Sequence, residues 1–164
     1  MRWCLVDRVV FFQPWAKITI IKRGTFEEYR LMKCWGGPNL GPPLFLLESA
    51  FQAAAWLVQA SSDFEMTLRP FEVERFDTPP GLAPGEGLLW HVTAAPMTGG
   101  LMDFTASSIR LNGAMDAAKA VTEFSRPNGT LTTSDGLLFK GVLTPLADLY
   151  RPDYQRALWR ELNC

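Results

Sequence analysis

Apolar residues dominate segment 44–59, where Glu48, Ser49, Gln52 and Gln59 are the polar positions. The segment contains no glycine or proline, and a helix that is apolar on nearly all sides is buried on most of them. Glycine and proline fill much of the preceding stretch 36–43, which predicts a loop. Prolines at the start of a helix suit its first turn, where an N–H would have no partner. The pattern therefore predicts one long, buried helix after a loop.

Shorter stretches on both sides of this helix alternate between apolar and polar residues or are rich in β-branched residues, as β-strands are. These predicted strands cover residues 5–12, 16–22, 29–33, 65–76, 87–95, 101–111 and 114–124. Pro70 predicts a bend in the strand that contains it. Thr98-Gly99-Gly100 and Asn112-Gly113 are turn signals, so the last three strands are expected to form consecutive hairpins.

The other residues are rich in proline and glycine over 77–87 and rich in turn formers over 126–136. The tail from Thr144 is predicted to be helical around residues 153–162, with Leu158, Trp159 and Leu162 as its apolar stripe. A sheet must cover one apolar face, and a single helix here is long enough to do so. The predicted fold class is therefore α+β, an antiparallel sheet wrapped around one central helix, which is a hotdog arrangement. One helix cannot cover both ends of such a sheet, so we expect a dimer.

Length and composition favour one globular domain. The chain has 164 residues, of which 48% are hydrophobic and 12% aromatic, and this excludes a disordered chain. Its formal net charge is −1 and its basic residues are scattered, which argues against a nucleic-acid partner. The predicted buried helix has too few apolar residues, and too many polar groups, to span a membrane.

The cysteines and the N-terminus bear on the compartment. Cys4, Cys34 and Cys164 are odd in number and far apart, which argues against a disulfide framework and for a reducing compartment, the cytoplasm. Asp7 and Arg8 interrupt the first apolar run, so we do not expect a signal peptide. One histidine and widely spaced cysteines give no support for a metal site, and no cofactor is expected.

Glu48 and Gln52 are the first candidates for chemistry. They are four residues apart, so they share one face of the helix. A carboxylate in a buried helix is costly unless something pairs with it or uses it. A structural role is the alternative, because a negative charge early in a helix gains from the helix dipole and can accept a loop N–H. His91, in a predicted strand, is better explained as a structural or solvated residue than as a base.

Three segments, in order, resemble the FabZ/FabA-type 3-hydroxyacyl-(acyl carrier protein) dehydratases. Residues 5–9, Leu-Val-Asp-Arg-Val, resemble the opening of that family. The Gly/Pro loop and the helix with an acidic residue and a glutamine four later resemble its signature. Arg75-Phe76 followed by Pro84-Gly85-Glu86 resembles its Arg-Phe and Pro-Gly-Asp stretch. The likeness covers about residues 1–125 and implies a hotdog domain there. It does not explain residues 126–164, which we expect to form a C-terminal extension packed on the same domain.

The resemblance implies a dehydration mechanism with three parts. In the family a histidine abstracts the proton next to the thioester carbonyl, and an acidic residue on the partner subunit's central helix helps the β-hydroxyl leave. A backbone N–H at the helix start polarises the carbonyl. The chemistry needs a base, an acid and a donor for developing oxyanion charge. Glu48 and Gln52 match the family pattern, and the substrate would be an acyl-phosphopantetheine carried by acyl carrier protein.

Two positions depart from the family pattern. Cys34 stands where the family spacing demands the histidine, and Pro43 stands where the family has glycine. Proline has no N–H, so the usual oxyanion donor is absent, and the N–H of Leu44 is a possible substitute. Cys34 can act as a base or nucleophile when it is a thiolate, or it can be a small apolar filler.

Three functions remain open at this point. The chain is an active dehydratase or isomerase that uses Glu48 and Cys34, a non-catalytic dehydratase-like subunit of a heteromer, or a hotdog acyl thioesterase. All three would bind an acyl chain in an apolar tunnel beside the helix, and a dehydratase-like chain would serve fatty acid or polyketide biosynthesis. The residues expected to contact substrate are Gln52, Trp35, Leu44 and Phe51, and Trp56 is also expected to line the tunnel. The partner is a second copy of the chain or a dehydratase homologue.

Overall fold

A computed structural model describes residues 4–25, 41–77, 82, 84–111 and 136–163, with the backbone alone for residues 41–43. The elements in chain order are β1 (Arg8–Gln13), β2 (Lys17–Arg23), α1 (Gly41–Ser61), β3 (Met66–Phe76), β4 (Gly87–Ala94), β5 (Leu101–Leu111), β6 (Gly136–Pro145), a 3-10 turn (Leu146–Asp148) and α2 (Pro152–Leu162). The predicted strands 29–33 and 114–124 lie outside the described residues.

The six described strands form one sheet in the order β1-β2-β4-β5-β6-β3, and each strand pairs antiparallel with its neighbours. β4 and β5 form the predicted hairpin, whose turn uses Gly99 and Gly100 at φ +61° and +84°. The bend predicted in β3 is confirmed, since its pairing with β6 shifts between Pro70 and Glu72. Among the described strands, β1 and β3 therefore lie at the two edges of the sheet.

β6 is the strand that the sequence pattern did not predict. It lies inside the sheet between β5 and β3, although residues 126–164 were expected to be an extension. The sheet thus continues past residue 125, and the predicted division at that residue does not coincide with a boundary of the sheet. The sheet extends beyond residue 125 because β6 pairs with β3, a strand from the first half of the chain.

α1 packs against β2, β3 and β4, where the sheet presents its alternate apolar side chains. Ala50, Ala53 and Ala54 are fully buried at this contact, and such small side chains let the helix approach the strands closely. Ser49 fixes the position of the helix, since its hydroxyl accepts a hydrogen bond from the buried Trp90 indole on β4 at 2.8 Å. The same hydroxyl donates to the Leu46 carbonyl.

α2 confirms the helix predicted around residues 153–162, and it packs beside α1. Its Trp159 ring lies 5.8 Å from the Trp56 ring of α1 and 5.2 Å from the Phe12 ring of β1. Phe64, which follows α1, makes a third ring contact at 6.4 Å. Offset and edge-on rings at these distances attract each other beyond their burial. The C-terminal segment is therefore part of the same core as α1.

The central helix is less completely buried than its sequence predicts. It begins at Gly41 and ends at Ser61, as expected of one long helix, but Leu44 is 62% exposed. Glu48, Phe51 and Gln52 are half-buried. The sheet covers one side of α1, where the Phe51 ring lies 4.9 Å from the Phe139 ring of β6, whereas Glu48 and Gln52 lie on a side that the sheet leaves partly open. Glu48 is thus a partly accessible carboxylate.

Candidate functional site

The Glu48 carboxylate is oriented by a chain of two hydrogen bonds. The side-chain amide of Gln52 donates from Nε2 to Glu48 Oε1 at 3.0 Å. The backbone N–H of Leu5 donates to Gln52 Oε1 at 2.7 Å. Because the helix places residues four apart on one face, the Glu48–Gln52 contact follows directly from the sequence. The Leu5 contact does not, because it joins segments 47 residues apart.

This arrangement fixes the direction in which the amide of Gln52 points. An amide has a carbonyl oxygen that accepts and an NH₂ group that donates, and the two ends are not interchangeable. Since the Leu5 N–H requires the oxygen, the NH₂ group is the end that faces Glu48. Hydrogen bonds therefore link the N-terminal segment, Gln52 and the Glu48 carboxylate.

A cavity of about 400 Å³ adjoins this group, between α1 and the C-terminal segment. The α1 side contributes the predicted contact residues Phe51 and Gln52, the predicted lining residue Trp56, and also Gln59. The C-terminal side contributes residues of α2 and of the turn before it: Tyr150, Arg151, Tyr154, Gln155 and Leu158. Gln52 lines the cavity and binds Glu48, so one hydrogen bond links the carboxylate to the cavity wall, although Glu48 is not itself among the described lining residues.

Sequence reasoning missed the C-terminal half of this cavity and missed Gln59. A signal for Gln59 existed, because it follows Gln52 by seven residues, or two helical turns, and so shares its face. No comparable local signal connects α2 with α1, since their contact is set by the tertiary packing of Trp159.

The start of α1 is unusual in its backbone donors. Helices leave their first N–H groups without intrahelical partners, and these groups can bind an oxyanion. Pro42 and Pro43 follow Gly41 and have no N–H, so Gly41 carries the only N–H among the first three helical residues. Leu44 stands one position further, where helical geometry directs its N–H to the carbonyl four residues earlier. Leu44 is not one of the described residues that line the cavity.

The remaining candidates divide into two groups. Cys34 and Trp35 lie outside the described residues. His91 lies on β4, where its Nδ1 is 2.9 Å from the hydroxyl of Thr19 on β2. Burial lowers the pKa of His91 from its ordinary 6.5, and nearby Lys17 lowers it further. The histidine is thus held mainly in its neutral form within the sheet.

Within the described residues, no group of three or more histidine, cysteine, aspartate or glutamate side chains is placed to hold a metal ion. No helix in this part of the chain is both long and apolar enough to cross a membrane.

No protein-family model and no curated protein sequence matches this chain significantly. Solved structures do resemble it. The protein smu.793 from Streptococcus mutans UA159, bound to acetyl CoA, aligns with a TM-score of 0.56 at 10% identity, over 88% of this chain and 94% of that one. A hot-dog-like protein from Thermanaerovibrio acidaminovorans aligns at 0.52 with 13% identity, over 93% and 95% of the two chains.

A third structure, the HP0420-homologue from Helicobacter felis, aligns with a TM-score of 0.51 at 10% identity, over 88% of this chain and 83% of that one. Likeness at such identities concerns the fold and does not transfer an activity. Together with the antiparallel sheet packed around α1, these comparisons show that this chain has an α+β hotdog fold.

Proposed function

We propose that this chain acts on acyl thioesters, with Glu48 as its acid–base residue. The observation that carries the proposal is the oriented carboxylate on the central helix, held by Gln52 and Leu5 beside a largely apolar cavity. An acid–base residue must be positioned before its protonation can be useful. The structural neighbour smu.793 binds acetyl CoA, itself an acyl thioester, which makes this substrate class the first to test.

Dehydration of a 3-hydroxyacyl chain on acyl carrier protein is the reaction that the sequence resemblance favours. In this reaction Cys34, as a thiolate, accepts the proton from the carbon next to the thioester carbonyl. Glu48, as a carboxylic acid, protonates the departing β-hydroxyl, so that one water leaves and a double bond forms.

The start of α1 supplies a candidate for the oxyanion donor. We assign this role to the N–H of Gly41 in preference to that of Leu44, because α1 begins at Gly41. The positive end of the helix dipole adds to the stabilisation of negative charge on the carbonyl oxygen. Such a donor acts in the transition state, when charge develops on that oxygen.

Hydrolysis of the thioester is the second candidate. The observation behind it is that Glu48 is an oriented carboxylate whose partner, the amide of Gln52, does not exchange protons with it. His91 is bound to Thr19 in the sheet, so hydrolysis is assigned to Glu48 without a histidine. Hydrolysis needs a single carboxylate to activate water and a donor for the oxyanion, so it does not require Cys34. The product would be a free acid and the thiol of the carrier.

Oligomerisation through β3 is part of the proposal. In the part of the sheet that the structure describes, β3 is an edge strand of 11 residues. Its Phe71 is 70% exposed and its Val73 is 43% exposed. An edge strand offers unpaired backbone groups to a second strand, and exposed apolar residues favour association. The partner is a second copy of this chain or, for a non-catalytic subunit, a dehydratase homologue with an intact histidine.

One experiment separates these functions. Purified protein is assayed with 3-hydroxyacyl carrier protein substrates for loss of water and for release of free acid, beside the variants Glu48→Gln and Cys34→His. We expect water loss that Glu48→Gln reduces about a hundredfold or more, the usual contribution of a general acid or base. Glu48-dependent release of free acid would instead support hydrolysis.

Absence of both products in the wild-type protein would contradict an enzymatic function of the chain alone. Turnover that is unchanged in Glu48→Gln would contradict the role assigned to the carboxylate. Glu48→Gln is a suitable variant because its amide oxygen can still accept the hydrogen bond from Gln52, so the local structure should be preserved.

A further inference from the structure

The C-terminal wall of the cavity carries three polar side chains that are open to a ligand. Arg151, Tyr154 and Gln155 line the cavity, and none of these side chains forms a hydrogen bond or an ion pair with another described residue. On the opposite wall, the amides of Gln52 and Gln59 already have hydrogen-bond partners. The polar groups that are available to fix the orientation of a bound molecule therefore lie on the C-terminal wall.

The side chain of Gln155 is the strongest of these observations. The residue is 8% exposed, and an amide that is removed from bulk water is costly when it makes no hydrogen bond. Its polar atoms keep some accessible surface, in contrast to Gln59 Oε1, which is sealed inside the protein. A molecule that fills the cavity can therefore reach the amide of Gln155 and supply its missing partner.

The three side chains lie on one face of the helical C-terminal segment. Tyr154 and Gln155 follow Arg151 by three and four residues, and helical residues at these spacings are neighbours. Helical geometry extends back to Arg151, because the N–H of Gln155 donates to the Arg151 carbonyl at 3.1 Å. A guanidinium, a phenol hydroxyl and an amide NH₂ group are thus close together on this wall, and all three can donate hydrogen bonds to one acceptor group.

Arg151 gives this group of donors a positive charge. It is exposed, so it lies at the mouth of the cavity, and no other lysine, arginine, aspartate or glutamate is among the described lining residues. Arginine binds a carboxylate through two parallel N–H bonds. One guanidinium balances the single negative charge of a carboxylate, whereas a phosphate group carries nearly two charges at neutral pH. The charge of the lining therefore favours a carboxylate.

The rest of the lining suits an apolar chain. Its apolar members include Phe51, Ala55, Trp56, Leu68 and Leu158, and Trp56 and Leu68 are each 5% exposed. A volume of about 400 Å³ is within the range of small-molecule sites, which combine such walls with a few polar groups. The cavity thus offers an apolar interior and a cationic mouth.

We propose that the cavity between α1 and α2 binds a free carboxylic acid with an apolar chain. Arg151 and Gln155 bind the carboxylate at the C-terminal wall, and the chain lies against the apolar lining. The inference goes beyond the proposed function, because it uses the C-terminal wall and does not depend on chemistry at Glu48. The free acid is a different ligand from a thioester, since only the acid has the negative charge that Arg151 binds.

The experiment compares octanoate with 1-octanol, which has the same chain without the charge, by isothermal titration calorimetry. Arg151→Gln should weaken the binding of octanoate about tenfold, because charge-assisted hydrogen bonds are lost, and should leave the binding of 1-octanol unchanged. Arg160→Gln is the matched control, since Arg160 is an exposed arginine of α2 that is not among the described lining residues. In Arg151→Glu the preference should reverse, so that octylammonium binds more tightly than octanoate.

Two further variants test the buried part of the site. Gln155→Leu keeps a side chain of similar size without the amide and should weaken the binding of octanoate. Leu158→Trp adds volume at a half-buried lining position and should abolish the binding of octanoate and 1-octanol alike. Circular dichroism and thermal melting establish that each variant is folded. Arg151 is exposed, so its variants test the inference even where a buried substitution unfolds the chain.

Four results would overturn the inference. The first is the absence of octanoate binding to the wild-type protein, and the second is octanoate binding that Arg151→Gln leaves unchanged or weakens no more than it weakens 1-octanol. The third is tighter binding of octyl phosphate than of octanoate, which would contradict the assignment to a carboxylate. The fourth is binding that persists in a folded Leu158→Trp variant, which would place the ligand elsewhere. These titrations measure no turnover, so their outcome is independent of the Glu48 assay.

Discussion

At the scale of single residues, Gln52 joins the site to the fold. Its amide receives a hydrogen bond from the Leu5 backbone and gives one to Glu48, and Leu5 is 3% exposed. Gln52→Leu leaves the Leu5 N–H without its acceptor, so we expect the free energy of unfolding to fall by about 1 to 2 kcal/mol. Denaturant unfolding measures this change. Gln13→Leu is the matched control on the surface, and an equal loss in both variants would contradict the account.

His91 makes the stability of the fold depend on pH. Burial lowers the pKa of His91 below its ordinary 6.5 in the folded chain, so the unfolded chain binds a proton more readily. The free energy of unfolding should therefore fall as the pH decreases through 6.5, until the folded pKa is passed. We expect His91→Gln, which can still bond Thr19, to lose less stability between pH 7 and pH 5. Equal losses in denaturant titrations would contradict this role.

The sequence predicts residues that interact through local geometry, and it does not predict their distant partners. Glu48 and Gln52 are predictable as a pair because four residues make about one helical turn. The acceptance of the Leu5 N–H by Gln52 depends on where the N-terminal segment crosses α1, which only the packed sheet determines. The hydrogen bond from Gln59 to the hydroxyl of Thr67 depends in the same way on where β3 packs against α1.

At the scale of the elements, β3 and β6 approach each other closely at Gly141. A Cβ atom added at Gly141 would lie 2.8 Å from Leu68 Cγ and 3.1 Å from the Arg69 carbonyl oxygen, both on β3. Gly141→Ala should therefore lower the free energy of unfolding by about 1 to 3 kcal/mol, as overpacked substitutions do. Gly136→Ala, in the same strand, is the control, because its nearest neighbour atom is at 3.9 Å. Thermal unfolding that is equal for the two variants would contradict this contact.

β6 also shows why one element escaped prediction while the others did not. The β4–β5 hairpin has a local turn signal, and α1 has an apolar run without glycine or proline, so both are predictable from nearby residues. β6 has Gly141 in its middle, and glycine weakens a strand pattern. Its strand conformation is stabilised by pairing with β3 and β5. β3 is distant in the sequence, and residues 112–135 separate β5 from β6.

At the scale of the whole molecule, the edge strand β3 is the surface through which we propose that two chains associate. Phe71 and Val73 are its exposed apolar residues. The double variant Phe71→Lys with Val73→Lys should convert a dimer into a monomer, because charges at the edge oppose strand addition. Sedimentation equilibrium measures the mass of each form. Met97→Lys, also exposed but outside β3, should remain dimeric. A monomeric wild-type chain would contradict the proposal.

For the whole molecule, the sequence predicts the fold better than it predicts the reaction. The order of strands around a single long helix is enough to predict a hotdog fold, and the structure confirms it. The reaction depends on a few side chains, of which Glu48 and Gln52 are described, whereas Cys34 lies outside the described residues. Several chemistries share this fold, so the site must be tested directly.

The most direct test of the central claim is turnover of a 3-hydroxyacyl carrier protein substrate by wild-type protein and by Glu48→Gln, measured in parallel for water loss and for free acid. The account predicts turnover that falls about a hundredfold or more in the variant, while circular dichroism shows the same fold. Equal turnover in the two proteins, or no turnover of any acyl thioester by the wild-type chain, would contradict it.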